Sequence, residues 1–416
     1  MQDRKPKVYF IACSFPPFGR GNSITNACAA NHLAQYFDIE VICKERENGL
    51  LINYEGDDSL VRDLVDGLVV HRLRGGRWSG AVNEVLYALG ILPCYYLNWA
   101  WRVVRRGSEL IGDRGVIFAV YPVFSDLVAG WYLSRHHKCP LVLDFRDDFS
   151  AVMSRGWRRV LAPVYRWMES RLLRSAQRVT VTTDHLKDAL VLRHGLDEGR
   201  VSVVHNIVPK SDRRRRRPIS SDEGDVKVVY AGAISAIQRP EILLRAYRKL
   251  CDSRPDLGRR VSIEFYGPES PYFRLKVKQH FVEGCHYHGF VPHDELIERL
   301  REIDIGFFSL ADPTFAYATP TKLFEYVELG IPVLAALPPG EARKMIEEND
   351  IGMVANPGDI NGLAGHLASL VEQPDQRRRL EVNVELMRDR FPPEQEAQKW
   401  RDAIRAAGAV NLDTAA

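Results

Sequence analysis

The chain has 416 residues and a net charge of +3, too small a charge to argue for nucleic acid as a partner. Hydrophobic residues make up 45% and charged residues 27%, which excludes a disordered chain, and the length exceeds one ordinary core, so two or three domains are expected. Seven scattered cysteines with no Cys-x-x-Cys pair exclude a zinc ribbon or disulfide ladder and leave reduced, mostly buried thiols.

In chain order, Arg4, Lys5 and Lys7 precede the apolar run Val8 to Phe15. Pro16-Pro17-Phe18-Gly19 follows where a signal peptide would carry small residues for cleavage, so the start reads as a strand entering a glycine loop. The pattern predicts a strand over 8–14, a loop over 15–22 and a helix over 23–37. Further strands are predicted at 39–43, 68–73, 115–120, 141–144, 179–182 and 201–205. Residues 210–225 are polar, contain five consecutive arginines (213–217) and lack periodicity, which marks a linker. Strands resume at 227–231, 261–266, 286–288, 305–308, 333–336 and 352–354, and a last amphipathic helix over 393–407 carries Ala397, Trp400 and Ile404. No apolar run reaches the roughly 18 residues of a spanning helix; the nearest, Ala81 to Trp101, is broken by Glu84, Pro93 and Asn98. Alternating strands and helices predict an α/β chain of two doubly wound, Rossmann-like domains facing each other across a cleft, with ligands at the carboxyl ends of the strands. The expected division is 1–209, a linker 210–225, 226–391, and a terminal helix 392–416 that packs on either domain.

The stretch Thr319-Pro320-Thr321-Lys322-Leu323-Phe324-Glu325-Tyr326, closed by Gly330-Ile331-Pro332, carries the most chemistry. Thr319 can cap a helix whose first turn accommodates Pro320, and Gly330 and Pro332 end it. The N–H groups at its start form an anion site. Lys322 suits a phosphate, and Glu325, one turn on, suits a pair of hydroxyls.

Three loops at strand ends add candidates. Gly19 and Gly21 permit close backbone approach to a phosphate or sugar, although the Gly-x-Gly-x-x-Gly spacing fails at Ile24. After the strand 227–231, Gly232 is followed by Arg239, which stands before a helix predicted to begin at Pro240 and suits forked recognition of phosphate. Asp144-Phe145-Arg146-Asp147-Asp148 follows an apolar strand. It reads as a salt-bridged corner or as a polar site, and its spacing matches no known metal loop. His205, His286, His288 and His293 lack the spacing of a zinc site and read as ordinary histidines.

These motifs together resemble the retaining glycosyltransferases of GT-B fold, the group 1 family (family four), and within it the branch of amino-sugar and deoxysugar transferases of surface-polysaccharide assembly. The loop 15–21 resembles the family's N-terminal glycine loop, and Asp144-Phe145-Arg146-Asp147 is similar to the Asp-x-Arg-Asp motif of that branch. Val203-Val204-His205-Asn206 resembles the end of the first domain, and Thr319 to Ala335 is similar to the branch's Pro-Ser-Lys-Leu-Phe-Glu-Tyr segment. The resemblance implies an N-terminal acceptor-binding domain and a C-terminal nucleotide-sugar-binding domain. It implies that Glu325 binds the donor ribose, that Lys322 lies near the donor, and that Arg239 takes the place of a phosphate-binding lysine. Amides around Thr319, Thr321 and Leu323 would hold the diphosphate and sugar, and Val291 would lie against the base. Gly19, Gly21, Gly232 and Tyr317 complete the donor side. Asp144 and Arg146 fall on the acceptor side, and Asp147 is the polar group beside the acceptor. Two positions depart from the family: Tyr317 replaces the first of two glutamates, and Ala233 replaces an arginine after Gly232.

The implied activity is transfer of a sugar from a nucleotide diphosphate, with uridine the expected base, to a glycan or lipid-linked acceptor in surface-polysaccharide or glycoconjugate synthesis. It calls for no metal and no cofactor beyond the nucleotide sugar, and for no nucleic-acid partner. A non-catalytic scaffold of the same fold, and a nucleotide-sugar epimerase or hydrolase, stay open as alternatives. Residues 156–178 carry six arginines against Glu169, interleaved with Trp157, Leu161, Val164, Tyr165, Trp167, Leu172 and Leu173. Residues 77–106 add Trp78, Tyr95, Tyr96, Trp99, Trp101 and Arg102. Such segments suit either a core-facing helix or an anionic membrane surface. The expected location is cytoplasmic, peripheral on the inner face of the plasma membrane.

Overall fold

The computed structural model describes residues 5–19, 21–45, 55–74, 82–83, 85–87, 89, 92–94, 96–112, 115–210 and 225–413. The five-arginine run 213–217, Trp78 and Tyr95 lie outside the described residues. The chain divides into two compact units, Met1–Ile207 with Pro393–Ala416, and Val208–Pro392.

The first unit is a parallel sheet of β1 (Lys7–Ile11), β2 (Asp38–Lys44), β3 (Val69–Leu73), β4 (Val116–Tyr121), β5 (Leu141–Phe145), β6 (Arg178–Val181) and β7 (Val201–Val203), in the order β3-β2-β1-β4-β5-β6-β7. All six residues of β4 are buried, as a strand covered on both faces requires. The sequence pattern extends β1 to Ser14, but the strand stops at Ile11. Two residues on, the Cys13 N–H is taken by the Asp126 carboxylate at 2.7 Å instead of by a strand neighbour. The following helix spans Gly21–Leu33 and not 23–37, because Phe37 turns into the core and Asp38 already pairs with Lys7. The C-terminal helix Pro393–Asp413 belongs to this unit. Its Ala397, Trp400, Ile404 and Ala407 recur every three or four residues and are at most 2% exposed, within the cluster that holds Phe10 and Phe118.

The second unit is a parallel sheet of β8 (Val226–Ala231), β9 (Val261–Tyr266), β10 (Cys285–Tyr287), β11 (Ile305–Ser309), β12 (Val333–Ala336) and β13 (Gly352–Ala355), in the order β10-β9-β8-β11-β12-β13. The strand order reverses at β1/β4 in one sheet and at β8/β11 in the other, the positions where open α/β sheets present a crevice to ligands. All seven cysteines are free thiols, and among the described residues no helix is long and apolar enough to cross a membrane.

Candidate functional site

In the second unit the helix Thr321–Glu328 begins one residue later than the sequence suggests. Pro320, extended at φ −61° and ψ 145°, is the capping residue, and Thr319 precedes it, buried, without acting as the cap. The Leu323 N–H donates to Pro320 O at 3.0 Å, so the amides that remain to receive an anion are those of Thr321 and Lys322. The Leu323 side chain is wholly in the core. At the other end Gly330, at φ 69°, donates to Val327 O and Ile331 to Tyr326 O, the paired bonds that close a helix on a left-handed glycine.

Lys322 leans along Gly232, the first residue after β8. A Cβ built on Gly232 would stand 2.5 Å from Lys322 Cε, and its φ of 124° is a conformation that favours glycine. The Lys322 ammonium lies 4.0 Å from the centre of the Tyr230 ring. Burial pushes its pKa down to about 7 against the opposing pull of Glu325, so at neutral pH it is poised to take a proton when an anion arrives. Glu325, 9% exposed, accepts or shares a proton with His293 Nε2 at 3.2 Å. His293 opens the helix His293–Leu300, and Val291 stands half-buried two residues before it.

Arg239 adopts φ 46°, in the left-handed region that costs a non-glycine residue about 1–2 kcal/mol. The helix after it spans Glu241–Ser253 and is capped by Pro240. Its Nε donates to Glu241 Oε1 at 3.2 Å, and the same oxygen accepts the Tyr272 hydroxyl at 2.8 Å. The guanidinium, 44% exposed, is thus braced on one edge rather than free for a fully forked grip. Tyr317 is 3% exposed beside Phe315. Its loop is pinned where the Glu341 N–H donates to Ala316 O, and Gly340 is required there because a Cβ would meet that oxygen at 2.3 Å. The Tyr317 side chain therefore belongs to the interior and not to an open donor face.

In the first unit the Gly19 N–H donates to Glu55 O at 3.1 Å, and Gly21 is the first residue of its helix. At the end of β5, Asp144 accepts Arg146 Nε at 2.8 Å and the Trp400 indole N–H at 3.2 Å. Arg146 is 6% exposed, yet its two Nη atoms meet no acceptor among the described residues. Asp147 lies half-buried, close enough to Tyr121 to help hold its phenol protonated. Asp148 caps the helix Phe149–Met153 and is held through both oxygens by Arg193, at 2.7 and 2.6 Å. Arg193 also reaches Glu169, which meets His194 Nε2 at 2.6 Å. The motif is therefore a salt-bridged corner at Asp148 and an open-handed arginine at Arg146.

Residues to which the sequence assigned no part in the site, His293 among them as an ordinary histidine, complete both places. His293, Tyr230, Glu241 and Tyr272 brace the second unit's cations and carboxylate. Asp126, Trp99 and Cys13 hold the end of β1. Burial raises the Asp126 pKa to about 7 despite hydrogen bonds from Cys13 and Trp99. The one available signal was a carboxylate in the first turn of a helix directly after a buried strand.

The segment thus gathers a lysine at a helix start, two open amides and a carboxylate one turn on. Residues 23–207 match the model of the glycosyl transferase 4-like domain and residues 211–387 that of glycosyl transferases group 1. The chain belongs to this GT-B glycosyltransferase family. This glycosyltransferase is 24% identical over 336 residues to D-inositol 3-phosphate glycosyltransferase of Streptomyces scabiei, covering 75% of this chain and 71% of that one. Its fold matches HepE of Anabaena, solved with UDP and glucose, at 17% identity and a TM-score of 0.68, covering 96% of this chain and 99% of that one. It also matches α,α-trehalose 6-phosphate synthase of Burkholderia multivorans at 13% identity and a TM-score of 0.69, covering 99% of both chains.

Proposed function

We propose that this glycosyltransferase moves a hexosyl group from a UDP-sugar to a hydroxyl of a glycan or lipid-linked acceptor, with retention, during surface-polysaccharide or glycoconjugate synthesis. The observation that carries the reading is the juxtaposition of Gly232, Lys322 and the Thr321 and Lys322 amides, with Glu325 one turn on. In the reaction the C1–O bond to the β-phosphate breaks while the acceptor oxygen bonds C1 on the same face. The acceptor proton passes to the departing phosphate, and UDP leaves. Lys322, Arg239 and the helix amides stabilise the negative charge that gathers on that phosphate. Glu325, oriented by His293, receives the ribose hydroxyls.

On the acceptor side the free Nη donors of Arg146 suit an acceptor phosphate, with Asp144 as their brace and Asp147 beside them. The Streptomyces relative is named for an inositol phosphate acceptor, and a lipid diphosphate offers the same anionic group. The proposed setting is cytoplasmic, on the inner face of the plasma membrane, with no metal and no added cofactor. A chelator is then expected to leave turnover unchanged.

Donor consumption measured with and without acceptor tests the reading. Transfer requires both substrates, whereas turnover of the donor alone would identify a hydrolase or epimerase. The scaffold reading draws on Ala233, Tyr317 and the bracing of Arg239 by Glu241; UDP binding without any turnover would favour it.

A further inference from the structure

The helix Ala162–Ser175 has two apolar faces, and only one of them meets the protein. Tyr165, Leu172 and Leu173 point into the core. Val164 and Trp167 point outward, 50% and 65% exposed, and the preceding turn Gly156–Leu161 adds Trp157 at 60% and Val160 at 77%. A tryptophan left open forgoes the large area it would otherwise bury, and two on one ridge are unlike the scattered apolar residues of an ordinary surface. Val82, Val85 and Leu89, also exposed, continue the ridge. Arg158 brings their segment alongside by donating to Tyr87 O and lying 4.8 Å over the Tyr87 ring.

Along residues 156–178 the exposed charge has one sign. Between residues 156 and 178 the sole acid is Glu169, fully buried and engaged by Ser150, Arg193 and His194. Arg159, Arg166 and Arg171 are exposed and pair with no carboxylate among the described residues. Tryptophans flanked by unneutralised arginines fit a bilayer interface, where indole rings sit at headgroup level and guanidinium groups meet lipid phosphates.

We infer that the ridge formed by Trp157, Val160, Val164 and Trp167, with Arg159, Arg166 and Arg171, docks this glycosyltransferase on an anionic lipid bilayer. The docking surface rests on the proposed function only for the membrane-linked acceptor. The test is sedimentation of the full chain with vesicles of phosphatidylcholine, with and without phosphatidylglycerol, read alongside UDP affinity as a check of folding. Binding is expected to need the anionic lipid and to weaken in high salt. The triple variant Arg159→Gln/Arg166→Gln/Arg171→Gln should lower partitioning by roughly a hundredfold. The double variant Trp157→Ala/Trp167→Ala should lower it by about tenfold or more with UDP affinity retained. Equal binding to both vesicle types, or unaltered partitioning by the tryptophan variant, would overturn the inference. So would a concentration-dependent dimer that the tryptophan variant abolishes, which would name a second copy as the occupant. Vesicle binding without sugar transfer would sink the proposed reaction and leave the docking surface standing.

Discussion

The two sheets share one strand order up to the seventh strand, yet they treat charge at their carboxyl ends in opposite ways. In the first unit three carboxylates are answered internally, Asp148 by Arg193, Glu169 by Arg193 and His194, and Asp144 by Arg146 through one edge of its guanidinium. In the second unit, Lys322 rests on an aromatic ring and a glycine with no carboxylate in ion-pair contact among the described residues, and Arg239 is braced on one edge only. Charges paired at home build a rigid corner. Charges held without a full counterpart wait for a ligand that supplies it.

That contrast can be broken by five tests at four residues, beginning with the largest expected effect. Arg193→Ala removes the cation shared by Asp148 and Glu169. Leaving Asp148 without its cation, and Glu169 with only His194 and Ser150, should cost about 3–5 kcal/mol in a denaturant melt; a loss under about 1 kcal/mol would mean that the corner is not held by its charges. Lys322→Ala should lower kcat by roughly a hundredfold to a thousandfold, the scale for deleting one donor from a developing anion. The same variant should weaken UDP binding far more than uridine binding, and equal losses for the two would remove Lys322 from the phosphate.

Glu325→Ala should weaken UDP and uridine alike, by roughly tenfold to a hundredfold in calorimetry, the range for charged hydrogen bonds to hydroxyls. Unchanged uridine affinity would put the carboxylate elsewhere. Arg146→Lys keeps the charge but loses the fork, so the acceptor KM should rise about tenfold with donor affinity constant; a shift in donor affinity instead would move Arg146 off the acceptor side. The last test is a pH slope. The ordinary lysine value of 10.5 falls to about 7 at Lys322, so the free site holds the proton below that pH and lacks it above. Binding a diphosphate above about pH 7 must then recruit a proton, and UDP affinity should fall by up to about tenfold per pH unit toward pH 9, with uridine flat. Lys322→Met should erase that slope; a slope that survives belongs to another group.

Much of the fold was legible because parallel strands buried on both faces leave continuous apolar runs. Of the thirteen strands described, all but β10 (Cys285–Tyr287) carry Val, Ile, Leu or Phe, and their ends lie within three residues of the expected ones. The site was legible where chemistry sits in a short segment, as with Lys322 and Glu325 on one helix. It was not legible where partners come from distant positions. His293 meets Glu325 across 32 residues, and Trp400 meets Asp144 across 256. Nor could periodicity say that the apolar residues of 162–175 would divide between core and solvent, or that in the helix Leu97–Leu110 Trp99 would be buried and Trp101 exposed.

Local composition by itself determined the α/β alternation, the glycine at 232, the helix that stops at Gly330 and the cation in its first turn, because each depends on backbone sterics and near neighbours. Tertiary packing alone decided which amides stayed open, that Arg239 would lean on Glu241, that burial would bring Lys322 to neutrality near pH 7, and which tryptophans face out. Those outcomes depend on solvent exclusion and on contacts between residues far apart in the chain, and such contacts exist only once the sheets have formed.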